Sequence, residues 1–198
     1  DYAILSDCHT AALVSTEGSI DWLCLPRYDS PSMFGALLGD ADHGRWMLRP
    51  ADPQATAERR YDGDGFVLVT RWATPDGVAD VIDVMPYGDR RADLVRRVQG
   101  VSGRVAFETE LRVRPDYARA MPWMRQVGTE TEPALVAVAG PDAMVFRGIA
   151  LRASDHAHRG AFDVAEGDRV DLTMTWFPSH RTIPAPAESP CSVRNSTS

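Results

Sequence analysis

A chain of 198 residues and 21.7 kDa has room for one large domain or two small ones, and it buries roughly 70% of its unfolded surface without needing a disulfide or metal staple. With 44% hydrophobic and 25% charged residues it is globular rather than disordered, and no apolar run approaches the ~18 residues of a membrane-spanning helix. The net charge of −7, with a pI near 5.2, argues against nucleic-acid or membrane partners, which need a positive surface. A local arginine patch stays compatible with that balance. All 21 basic residues are arginine and none is lysine, the mark of GC-rich coding rather than of a function. Cys8, Cys24 and Cys191 form no CxxC pair. They read as free thiols of a reduced cytoplasm, not as a disulfide framework or a zinc site. No signal peptide is visible, and a cytoplasmic location is expected.

In chain order, Thr16-Glu17-Gly18 joins two short strands into a hairpin, the second running from Ile20 to Leu25. The loop Pro26 to Ser30 then leaves the sheet. Residues 31–38 are expected to form the one short helix, with Ser30 placed to cap it, Pro31 at its first position and Gly39 at its end. Phe66 to Ala73 is β-branched and aromatic on both faces, as in a central strand. Arg104 to Arg114 alternates strictly. Val105, Phe107, Thr109, Leu111 and Val113 face inward, and Arg104, Glu108, Glu110, Arg112 and Arg114 face outward. Asp116 to Glu132 has no period and reads as a long loop. Val170 to Trp176 alternates again. Turn residues such as Asp62-Gly63, Pro75-Asp76-Gly77 and Glu166-Gly167-Asp168 separate these runs. Ten to twelve short strands at this spacing predict an all-β fold, two antiparallel sheets packed as a β-sandwich. The sandwich should span residues 1–183. Residues 184–198, rich in Pro and Ser, are expected to be a disordered tail.

The string Asp7-Cys8-His9-Thr10-Ala11-Ala12-Leu13-Val14-Ser15, followed by Gly18-Ser19-Ile20-Asp21-Trp22-Leu23-Cys24-Leu25-Pro26-Arg27-Tyr28-Asp29-Ser30-Pro31, resembles the N-terminal domain of bacterial and archaeal glucoamylase/trehalase-type enzymes of glycoside hydrolase family 15. Asp80 to Pro86, Leu94 to Val98 and Trp176 to His180 extend the resemblance, which reaches about residue 183. His9 stands where Arg is usual and Tyr28 where Phe is common. The resemblance implies a super-β-sandwich that precedes a separate (α/α)6 catalytic barrel. It also implies that the two catalytic glutamates lie in that barrel, where they hydrolyse α-glucosidic bonds with inversion. Inversion needs an acid and a base about 6.5–9.5 Å apart. No catalytic residue is therefore assigned in this chain, and alone it should be inactive.

Asp21, Trp22, Arg27, Tyr28 and Asp29 are the candidates for a surface facing a sugar or the barrel. Aromatic faces stack on sugar C–H groups, and Arg and Asp bond adjacent hydroxyls. The competing structural reading puts Trp22 in the core and makes Arg27 and Asp29 an ion pair that fixes the loop. Asp155-His156-Ala157-His158 reads as a solvated hairpin turn rather than a metal site, since Arg152 and Arg159 oppose a cation. Glu108 and Glu110 read as a solvated strand face, and the pairs Arg59-Arg60, Arg90-Arg91 and Arg96-Arg97 as solvated surface. No cofactor or metal is expected. The expected partners are the catalytic barrel and α-glucoside oligosaccharides. The function implied is a non-catalytic domain that docks on the barrel and shapes its active site. The alternatives are a free-standing carbohydrate-binding module and a truncated fragment.

Overall fold

The computed structural model describes residues 1–87 and 92–186. It is an all-β fold. The strands are β1 (Tyr2–Ser6), β2 (Ala11–Ser15), β3 (Ser19–Cys24), β4 (Ser32–Phe34), β5 (Arg45–Pro50), β6 (Thr56–Tyr61), β7 (Leu68–Thr74), β8 (Gly77–Val84), β9 (Asp93–Arg112), β10 (Trp123–Gly128), β11 (Pro133–Ala139), β12 (Asp142–Arg147), β13 (Arg152–Ser154), β14 (Ala157–Ala165) and β15 (Arg169–Pro178). Every pairing is antiparallel.

The 20-residue β9 organises the whole. Its first half pairs with β8 and β15, and its second half with β5 and β14. The chain changes partners around Gly100 and Gly103. A Cβ on Gly100 would sit 1.9 Å from the Ala165 carbonyl oxygen, and Gly103 has φ +62 against the Asp76 carbonyl, so side chains are excluded where the strand crosses over. Two curved halves result. One holds β1 to β5, β13 and β14; the other holds β6 to β8, β10 to β12 and β15. Their inner faces share one core, in which Leu5, Ile20, Leu48 and Phe107 of the first half meet Leu68, Val81, Leu94 and Met174 of the second. Trp46 and Phe146 meet edge to face across it, with centroids 5.7 Å apart.

The alternation of residues 104–114 holds. Val105, Phe107, Leu111 and Val113 are buried, and Thr109 fits among them because its hydroxyl donates to the Met47 carbonyl and accepts from the Trp46 indole. Four expectations fail. Residues 31–38 are not a helix: Ser32–Phe34 is a strand on β3, with Leu23 opposite Phe34, and only Ala36–Leu38 makes a 3-10 turn. Full burial of Met33 and Phe34 outweighs the local capping pattern, which is worth about 1 kcal/mol. Residues 116–132 are not a featureless loop. A turn at Pro115–Ala118, with positive φ at its last three residues, leads to β10, an edge strand on β11, whose alternation is hidden because Gln126 and Gly128 share the face of Met124.

Arg96 is not solvated. It is wholly buried beside Asp83, its register partner on β8. In a strand only one of two neighbouring arginines can face out, and Arg97 takes that side, bonded to Asp171. Glu110, expected on a solvated face, is buried as well, while Glu108 is half-buried and pairs with Arg49. Arg90-Arg91 and the tail from residue 187 lie outside the described residues.

Candidate functional site

Strand directions bring several connections to one end of the first half. There Arg45 pairs with Arg112, Leu111 with His158, and Ser6 with Ala11. The β1–β2 turn, the β3–β4 loop, the segment 113–122 and the β13–β14 turn therefore crowd together. Their mutual contacts are specific. Tyr28 donates its backbone N–H to the His9 carbonyl, and its hydroxyl meets Ser6 Oγ at 2.7 Å, a bond that Phe could not make. The Asp7 carboxylate accepts the N–H groups of His9 and Thr10, each at 2.8 Å, which holds the turn. Ser32 Oγ accepts from Tyr117 N–H, and Met33 carbonyl from Arg114 N–H.

Of the five candidate residues, Arg27, Tyr28 and Asp29 lie on the β3–β4 loop at this end, whereas Asp21 is tied to the start of β1. Asp21 is occupied by Tyr2 Oη at 2.9 Å and Ser19 Oγ at 2.5 Å. The Tyr2 hydroxyl is pushed up to about 12, first by burial and then by Asp21. Trp22 points to the opposite side of the strand, half-buried with its ring 6.1 Å from that of Tyr117. The core placement considered for it does not hold. Arg27 and Asp29 form the expected ion pair, a two-pronged contact at 2.9 and 2.7 Å that stays fully in solvent. The Arg27 hydrogen bond holds the Asp29 carboxyl below its usual range. Tyr28 between them is 57% exposed.

Sequence reasoning missed the charged cluster formed by β9 with β5 and β14. Glu110 accepts from Arg45 at 3.1 Å and from Arg159 at 2.9 Å, with Arg112 Nε 3.9 Å away. Burial alone would raise its pKa, but the hydrogen bonds from Arg159 and Arg45 outweigh it and hold the carboxyl below the ordinary value. Arg112 also donates to Asp42 from Nη1, while its buried Nε makes no hydrogen bond. A cavity of about 370 Å³ opens next to it, lined by Arg114, Met121, His156 and His158 and by none of the five candidates. Burial pushes the His158 imidazole below its usual 6.5. The visible clue was the outer face of β9 and its extension, which runs Glu108, Glu110, Arg112, Arg114. The partners in β5 and β14 lie 65 and 49 residues away, beyond any local pattern.

Asp155 and His156 form the tip of the β13–β14 hairpin, both with positive φ. Among the described residues no group of three or more His, Cys, Asp or Glu is placed to hold a metal ion. No described helix is long and apolar enough to cross a membrane.

Residues 1–168 match the family model described as "Trehalase-like, N-terminal". The chain belongs to this family. It is 32% identical over 200 residues to a trehalase of Mycolicibacterium smegmatis, and 31% identical over the same length to one of Mycobacterium tuberculosis; each match covers 89% of this chain. Trehalase 1 of Sulfolobus acidocaldarius is 39% identical over 90 residues, 46% of this chain. The chain spans only about 30% of the mycobacterial relatives' length.

Proposed function

We propose that this chain is the non-catalytic N-terminal β-sandwich, residues 1–183, of a trehalase-like glycoside hydrolase. It docks on a catalytic domain and shapes the entrance to its active site. The carrying observation is coverage. The chain corresponds to under a third of proteins named trehalases, so most of such an enzyme lies outside it. The crowded end of the sandwich supports the reading, because Tyr28, Leu38, Tyr117, Met121 and Trp123 are all at least 45% exposed there. Exposed apolar side chains gathered at one end suit an interdomain contact.

The resemblance to glycoside hydrolase family 15 suggests that the partner is an (α/α)6 barrel carrying the inverting acid and base, acting on trehalose or a related α-glucoside. Asp21, Trp22, Arg27, Tyr28 and Asp29 would then face that barrel rather than perform chemistry. Free Cys8 and Cys24 favour a cytoplasmic setting.

The test is a chimaera in which this chain replaces the N-terminal domain of the M. smegmatis trehalase. Trehalose hydrolysis should persist in the chimaera and collapse when the domain is simply deleted. Equal activity with and without any N-terminal domain defeats the reading. Millimolar trehalose binding by the isolated chain, measured by calorimetry, would instead identify a carbohydrate-binding module.

A further inference from the structure

Arg114 differs from the other strongly buried arginines. Arg96 has Asp83 and Arg112 has Asp42, but Arg114, only 8% exposed, meets no carboxylate among the described residues. Its Nη1 donates to its neighbour's carbonyl, Val113, at 2.8 Å, and its Nη2 to the His156 carbonyl at 3.0 Å. A guanidinium carries five N–H donors in a planar fork, so the head keeps donors to spare where it lines the cavity. A desolvated cation without a counter-charge is costly. Here Arg112 adds a second positive charge nearby; burial and then Arg112 lower the Arg114 pKa, and Asp42, already bonded to Arg112, offsets only part of that. Glu110 is already committed to Arg45 and Arg159.

Two further observations mark the place. Asp116, Tyr117 and Ala118, just beyond Arg114, hold φ of 54, 55 and 63. Three consecutive non-glycine residues in the left-handed region store strain that the surroundings must hold in place. The rim is apolar, with Met121 63% exposed on the cavity wall and Trp123 65% exposed two residues on. A neutral sugar would bring the cation no further negative charge. An acidic side chain on a protein surface would neutralise it while covering Met121.

We propose that the Arg114 cavity receives an Asp or Glu side chain from the catalytic portion of the enzyme, an ionic socket that sets the angle at which the sandwich docks. This rests on the docking reading above. The socket is formed by Arg114 in the floor and the β13–β14 hairpin as one wall. The incoming carboxylate takes the unused donors of the guanidinium in a two-pronged contact.

The test mixes the 198-residue chain with the M. smegmatis trehalase lacking its N-terminal domain, and measures affinity by calorimetry. Arg114→Gln keeps an N–H for the His156 carbonyl but removes the charge; affinity should fall about 30-fold or more while the thermal melt of the free chain stays in place. Arg114→Lys should retain much of the affinity. Complex formation that Arg114→Gln leaves unchanged overturns the socket and spares the docking reading. No complex with the unmutated chain overturns both. If Arg114→Gln does not fold, salt dependence decides: a wild-type affinity that weakens several-fold between ~50 mM and ~0.5 M salt supports the socket, and indifference to salt overturns it.

Discussion

Arg96–Asp83 and Arg27–Asp29 are the same contact in opposite settings. Each is a two-pronged fork, at 2.8 and 3.3 Å in the first and 2.9 and 2.7 Å in the second. The exposed fork has the tighter geometry and contributes less, because water and salt screen it and each side chain loses freedom to hold it. The buried fork joins layers. Arg96 also donates to the Trp46 carbonyl at 2.7 Å and the Gly18 carbonyl at 2.8 Å, and lies 5.4 Å from the Trp46 ring. One side chain on β9 thereby ties β8 to β5 and to the β2–β3 turn. Distance and angle do not rank ion pairs; surroundings do.

Asp83→Ala breaks this comparison most severely, because it leaves a wholly buried guanidinium without its anion. It should cost about 3–5 kcal/mol, read as a lower urea midpoint with an unchanged slope. Glu110→Gln tests the intermediate case, a buried carboxylate whose arginines Arg45 and Arg159 are partly exposed. Loss of its charge-assisted hydrogen bonds should cost about 1–3 kcal/mol by the same measurement.

Acid should act in two steps. His158 has a folded pKa below 6.5 and Glu110 one below 4.5, so the unfolded chain binds both protons more readily. Stability is full above pH ~6.5, declines as pH falls through the folded value of His158, and declines again through that of Glu110. His158→Gln should flatten the upper decline in a series of urea midpoints against pH, and Glu110→Gln the lower. The smallest effect belongs to the exposed fork. Arg27→Ala should leave the thermal midpoint of the isolated chain unmoved, and a clear drop there would show that the loop is held by this pair after all.

Legibility followed the range of the interactions. The hairpin at Glu17-Gly18, the alternation of residues 104–114 and the turn at Asp155-His156 are set by neighbours in the chain, and all are present in the structure. The strand at Ser32–Phe34 is not legible locally, because three residues carry too little period to distinguish strand from helix. Only their burial against β3 decides it. The charged sites were the least legible. A run of Glu108, Glu110, Arg112 and Arg114 looks like any solvated face until Arg45 and Arg159 arrive from other strands.

The amino-acid order by itself determined an all-β chain, its main hairpins and which side of β9 enters the core, since side-chain alternation is a local property of an extended backbone. Only the tertiary structure decided which charges are buried and which are satisfied. Arg96 found Asp83 on β8, Glu110 gathered its arginines, and Arg114 reached a cavity wall with two carbonyls as its hydrogen-bond partners. Desolvation depends on what packs overhead, and that is written at no single place in the chain.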